Sequence, residues 1–265
     1  MISLALLRQG FPLGFVAGSA ILGAIIGSFL GVVAERVPGW VRGEEGAANL
    51  FYPPSHCPTC QHRLSCWENI PVISWLALRG RCRQCRTAIP LRLLMVELAS
   101  AVFFAFTAWL FTAPAQLVSV WILWCGLLPL TMIDLRERLL PDCITQPLLW
   151  VGLLLNAHTH LLTMSDALYG AAAGYLVLWL LYWGFRLMTG REGMGYGDFK
   201  LLAALGAWCG WQALPSIVLL ASLTGIAGYF ISTKADDNNP QIPFGPSLAF
   251  AGMVFFIVLN ITFTS

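Results

Sequence analysis

Apolar runs long enough to cross a bilayer recur along the whole chain, and this constrains its fold more than any motif does. A hydrocarbon core ~30 Å thick takes about 20 mostly apolar residues in helical form. The stretches 13–34, 93–113, 117–133, 143–162, 167–185, 199–212, 214–232 and 245–263 meet that description. The sixth is short and relies on Gly206 and Gly210 for close packing. None alternates with the period of two that marks a membrane barrel strand, so the spans are read as helices. Charged residues make up 11% of the 265, against roughly 25% in a soluble domain. The expectation is an all-α polytopic membrane protein with about eight transmembrane helices. The first run exceeds the ~7–15 residues of a signal-peptide core, and more positive charge follows it than precedes it, so it is read as an anchor.

Orientation follows from the basic residues, because Lys and Arg stay on the cytoplasmic side of short loops. With the loop after the first helix in the cytoplasm, fourteen of the fifteen fall on that side. Arg36, Arg42, Arg63, Arg79, Arg81, Arg83, Arg86 and Arg92 lie in that loop. Arg136 and Arg138 follow the third helix, Arg186, Arg191 and Lys200 the fifth, and Lys234 the seventh. Arg8 is the exception. Both termini are then periplasmic. The basic residues track topology rather than forming one basic domain, which argues against nucleic acid as a partner and for membrane lipid. Three parts result: a first transmembrane helix over 1–34, a cytoplasmic loop over 35–92, and a seven-helix membrane domain over 93–265. The chain has no convincing internal repeat, and "KADDNNPQIP" reads as a solvated linker before the last helix.

The 35–92 loop carries "CPTC" and "CRQC", which supply Cys57, Cys60, Cys82 and Cys85 with 21 residues between the pairs. Two C-x-x-C knuckles at about this spacing suit one Zn²⁺ held by four thiolates. Two disulfides or free thiols are the rival arrangements, and a reducing cytoplasm disfavours the disulfides. Such a site has four protein ligands and no open position, so its role is structural, and a loop with little core draws folding energy from the metal. His56 and His62 flank the first knuckle and are read as solvated loop residues, with replacement of a cysteine ligand as the alternative. Cys66, Cys125, Cys143 and Cys209 are isolated and read as packing residues. His158 and His160 have no evident third ligand.

Ionisable groups in membrane segments are costly and therefore functional candidates. Four qualify: Glu97, Asp134, Asp142 and Asp198. Asp134 ends the third apolar run in "LTMIDLRERLLPD", and Asp198 opens the sixth in "GMGYGDFK". The topology puts both at the cytoplasmic membrane face, although 64 positions separate them. Two carboxylates sharing one proton can activate water and protonate a leaving amine without metal or nucleophilic side chain. Gly193, Gly195 and Gly197 permit close approach to the backbone before Asp198. The plainer alternative is a pair of interfacial ion pairs, Asp134 with Arg138 and Asp198 with Lys200. Asp142, after Pro141, is read as a helix N-cap. Glu97 is read as a structural hydrogen-bonding group or a partner of Arg92.

These runs together resemble the type IV prepilin peptidases. The matching strings are "GSFLGVVAERVP", "CPTC", "ENIPVISWLALRGRCRQC", "IPLRLLMVE", "IDLRERLLPD" and "GMGYGDFKLLAALGAWCGW", in the family's order. Gly31 departs from the asparagine often found in the family. The resemblance implies a bacterial inner-membrane aspartic protease serving type IV pili or type II secretion. Its substrates would be prepilins or pseudopilins, each losing a short basic leader on the cytoplasmic side of a glycine. It also implies N-methylation of the new N-terminal residue, typically phenylalanine, with S-adenosylmethionine as donor. Asp134 and Asp198 fall on the family's catalytic aspartates, and Cys57, Cys60, Cys82 and Cys85 on its zinc ligands. Two other classes compete. An ion-coupled transporter keeps its acids near the bilayer midplane, whereas these lie at the rim. A non-enzymatic zinc scaffold for a secretion assembly would explain the cysteines but not the paired acids.

Overall fold

In the computed structural model the described residues are 10–44, 49–50, 52–159, 161–190, 194–232 and 243–262. Arg8, His160, Arg191, Gly193, Lys234 and positions 234–242 of the polar linker lie outside them. The described residues are helical, without named strands. The α-helices are α1 (Pro12–Val41), α2 (Ile73–Ala77), α3 (Leu91–Leu110), α4 (Pro114–Glu137), α5 (Asp142–Thr159), α6 (Met164–Thr189), α7 (Tyr196–Cys209), α8 (Leu214–Ser232) and α9 (Gly245–Thr262).

Among the described residues six segments are long and apolar enough to cross a membrane: α1, α3, α4, α6, Trp211–Phe230 and α9. The other two expected spans form helices but fall short of that description. In α5 the apolar run is diluted by Asp142, Gln146, Asn156 and His158. In α7, 14 residues reach only about 21 Å at ~1.5 Å per residue.

The chain divides into two compact units, Met1–Leu117 and Val118–Ser265. In the first, α1 packs along α3 through small residues, which is how membrane helices approach closely. A Cβ on Gly23 would sit 2.5 Å from the Ser100 carbonyl oxygen, and one on Gly27 would sit 2.8 Å from the Ser100 Oγ. Gly31 is different: a Cβ there meets only Leu93, at 3.7 Å, so the position accepts a side chain. Arg92 pairs with Glu35 at 2.8 Å. Arg36 donates to the carbonyls of Asn49 and Pro53, at 2.6 and 2.7 Å, fastening the loop chain to α1.

In the second unit α7 is the central element. Apart from Lys200, every residue from Asp198 to Cys209 is buried. A helix apolar on all sides must be enclosed, and α5, α6 and α9 enclose it. On the α6 side, Gly206 meets Gly170 backbone to backbone, and a Cβ on Gly174 would lie 2.6 Å from the Leu202 carbonyl. On the α5 side, the Trp208 indole donates to the Leu148 carbonyl and the Asn156 amide to the Ala207 carbonyl, both at 2.8 Å. Trp208 also meets Phe256 of α9 edge-on, 5.3 Å between centroids. Being wrapped in protein, α7 needs neither the length nor the lipid-facing stripe of a span.

Candidate active site and thiolate cluster

Asp134 sits in the last turn of α4 and Asp198 in the first turn of α7, both in the second unit. Both are nearly sealed, with 5% and 8% of their surface exposed. Their carboxylates are close enough for the charge of Asp134 to act on Asp198. The two acids expected from sequence thus lie in one unit, at the end of α4 and the start of α7.

A third participant was not expected. The Gly245 N–H, 111 residues away, donates to Asp134 Oδ2 at 3.0 Å. Gly245 is the first residue of α9. Its N–H has no partner inside the helix, and a helix N-terminus favours a negative charge. A Cβ on Gly245 would lie 2.6 Å from that same oxygen. The buried Leu140 packs against the starts of α7 and α9. It lies 2.7 Å from a Cβ on Gly197 and 3.2 Å from one on Gly245. The string "PFGP" at the start of the last span was the available signal, since Pro and Gly punctuate helix starts.

The neighbouring charges remove one alternative and correct one expectation. Lys200 does not pair with Asp198: its Nζ stands 2.7 Å from both carboxylate oxygens of Asp142. Asp142 is the first residue of α5 rather than its cap, and its carboxylate serves that ion pair, tying the starts of α5 and α7 together. Arg138 is near enough for its charge to act on Asp134. The turn around Asp198 is braced by aromatics. Phe199 packs against Tyr175, Tyr182 and Tyr196, with centroids 6.1, 5.7 and 5.4 Å away. Arg186 donates to the Tyr182 hydroxyl at 3.2 Å.

In the first unit the four expected cysteines converge. Cys57 and Cys85 have their sulfurs 3.7 Å apart, Cys60 and Cys82 3.9 Å apart, and all four sulfurs lie within 4.8 Å of one another. Tetrahedral zinc with Zn–S of about 2.3 Å requires S···S near ~3.8 Å, so the cluster fits a metal ion. All four are free of disulfides. The two knuckles share one backbone design. In each, the first cysteine's N–H donates across the turn, Cys57 to the His62 carbonyl at 2.9 Å and Cys82 to the Thr87 carbonyl at 2.8 Å. Each turn closes through a residue of positive φ, Gln61 at 57° and Arg86 at 63°. Thr87, through its hydroxyl 3.2 Å away and its N–H, lowers the Cys85 thiol and favours the thiolate a metal needs, while Cys60, against the pull of the His62 N–H, is pushed up by burial and the neighbouring thiols.

The remaining candidates take structural roles. His62 faces Glu68 at 3.4 Å and His56 faces the Pro54 carbonyl at 3.0 Å, so neither joins the cluster. Glu97 accepts the Val72 N–H at 2.7 Å, as the hydrogen-bonding reading expected, while Arg92 takes Glu35 instead. Cys209 is buried and Cys125 half-buried, in keeping with packing. Cys66 and Cys143 are exposed, so packing does not account for them. His158 is exposed in the last turn of α5.

A helical membrane protein with two buried aspartates at helix ends and a four-cysteine knuckle pair is a narrow class. The family model described as bacterial peptidase A24 N-terminal domain matches residues 21–111, and that of the type IV leader peptidase family matches 120–230. A curated relative named prepilin leader peptidase/N-methyltransferase, from Stutzerimonas stutzeri, is 47% identical over 92% of this chain and 90% of its own length. Relatives of the same name come from Pseudomonas aeruginosa, 43% identical over 92% and 90%, and from Pectobacterium carotovorum, 44% identical over 95% and 96%. No solved structure matches the chain. The chain belongs to the type IV leader peptidase family.

Proposed function

We propose that the chain is a membrane aspartic endopeptidase that removes the leader of prepilins or pseudopilins and then N-methylates the new N-terminal residue. The observation that carries this reading is the sealed Asp134–Asp198 pair in a chain of this family. In the proposed reaction the two carboxylates share one proton. The ionised one removes a proton from water as its oxygen attacks the scissile carbonyl carbon. The protonated one then gives its proton to the departing amine nitrogen as the C–N bond breaks. Gly245 holds Asp134 by its N–H, and Leu140 packs beside both Gly245 and Gly197, the neighbour of Asp198. Sealing the pair from bulk water strengthens the electrostatics of each step.

Zinc is the metal assigned to Cys57, Cys60, Cys82 and Cys85 in the 35–92 loop. It would cross-link the two knuckles and take no part in bond breaking, since the four sulfurs fill its coordination. S-adenosylmethionine is the co-substrate of methyl transfer. The site is assigned to the cytoplasmic face of a bacterial inner membrane, supported by the distribution of Lys and Arg. A prepilin would present its leader to the cytoplasm and its apolar helix to the bilayer, which brings the scissile bond to that boundary.

The test is incubation of the purified protein in detergent with a prepilin, followed by N-terminal sequencing and mass measurement of the product. Leader release on the cytoplasmic side of a glycine, with a methylated terminus when donor is present, is expected. Absence of release by protein with intact metal content would refute the reading.

A further inference from the structure

The cysteine loop is bound into the membrane-helix pair that carries it. At Val72 the backbone turns through a φ of 62°, and its N–H is held by Glu97 of α3. Glu97 lies six residues past Leu91, about 9 Å along the axis at ~1.5 Å per residue. The short helix α2 thus starts level with the second turn of a helix long and apolar enough to cross the bilayer.

From there α2 turns its apolar side outward. Ile73 and Leu76, three apart and so on one face, are 64% and 60% exposed, and Trp67 just upstream is 80% exposed. The orientation is set from the other side, where the Trp75 ring covers Gly80, 2.7 Å from where its Cβ would be. The same stretch is basic. Arg63, Arg79, Arg81, Arg83 and Arg86 are exposed, and none makes an ion pair among the described residues. Between 53 and 90 the only acid is Glu68, whose carboxylate takes the Ser65 N–H and hydroxyl at 2.9 and 2.7 Å.

We propose that this face of the loop lies on the bilayer, with Trp67, Ile73 and Leu76 at the headgroup–acyl boundary and the arginines on the phosphates of anionic phospholipid. Exposed aliphatic residues and tryptophan flanked by arginine match such a surface in both polarity and charge. The Glu97 hydrogen bond sets the depth. The inference rests on α3 spanning the membrane and not on the peptidase reading, so the two stand or fall separately.

The full chain would be reconstituted into nanodiscs with photoreactive benzoylphenylalanine in place of Leu76 or, in a second variant, Ile73. A third variant carries it in place of Val102, an exposed residue of the α3 span, as a lipid-facing reference. Metal content would verify the loop fold of each. Phospholipid adducts at both loop positions, at yields near that of the reference, are expected. Yields should rise severalfold when phosphatidylglycerol replaces part of the phosphatidylcholine, and Arg79→Gln, Arg81→Gln and Arg83→Gln together should remove the rise. Labelling of the reference without the loop positions would overturn the proposal. So would adducts to a second copy of the chain or to added prepilin in place of lipid, or yields equal in both lipid compositions.

Discussion

Gly245 meets Asp134 through a backbone N–H, and the contact leaves no room for a side chain. Gly245→Ala would put a methyl 2.6 Å from Asp134 Oδ2, so the carboxylate or the start of α9 must move. A displacement near 1 Å at a reacting group can cost about 10²-fold in rate, and a loss of that order in leader release is expected. The zinc content, held in the other unit, should be unchanged. Asp134→Ala and Asp198→Ala remove one of the two proton carriers outright and should abolish leader release at matched expression, with membrane insertion and zinc retained. Substantial cleavage by either would refute the dyad. Asp142→Ala is the contrast. It breaks a pair whose carboxylate is 59% exposed, so its cost should be about 1 kcal/mol or less. Cleavage should survive, a comparison made by measuring initial rates of all four variants against one prepilin.

At the scale of elements, the close approach of α6 and α7 leaves no room for a Cβ. Gly206→Ala would drive a methyl into the Gly170 backbone. Overpacking of this kind costs roughly 1–3 kcal/mol, expected as a lower thermal midpoint in detergent before any change at the carboxylates. The knuckles give the second prediction. Cys57→Ser or Cys82→Ser should lower bound zinc in elemental analysis of protein purified without chelator, and wild-type protein carrying no metal would remove the zinc assignment. The helices agree with the apolar runs to within a few residues at most ends, because span length is set by bilayer thickness. The exceptions are physical. α1 continues seven residues past 34, through Glu35 and Arg36 to Val41, because backbone hydrogen bonding does not require that side chains face lipid. α7 read as a span, though a short one, because an all-round apolar helix enclosed by protein has the composition of one facing lipid. The Cys-x-x-Cys spacing marked the metal site, yet the 25-residue offset between knuckles (57 to 82) concealed a shared backbone design. That design resides in hydrogen bonds and positive φ values, carried by Gln61 and Arg86 rather than by glycine.

For the whole molecule, the aspartate pair was legible because acids at the ends of apolar runs are rare and topology put two on one face. Its third contact was not, since "PFGP" marks a helix start but not which carboxylate the Gly245 N–H meets. The two proposed activities are chemically separable. Hydrolysis by paired carboxylates needs only water, one shared proton and the scissile bond. Methyl transfer needs a donor, and none of the groups assigned to hydrolysis, Asp134, Asp198 or the Gly245 N–H, is a methyl acceptor in it. The acceptor is the amine that hydrolysis releases, so cleavage must come first and methylation cannot drive it. Withholding S-adenosylmethionine should therefore leave the rate of leader release unchanged and yield mature pilin with an unmethylated terminus. Adding the donor afterwards should methylate that product without further change in chain length. Both outcomes are read from one mass spectrum of the pilin, taken before and after donor addition. A cleavage rate that falls to background without donor would show that the two chemistries share a step, and would overturn the assignment of water activation to the carboxylates alone.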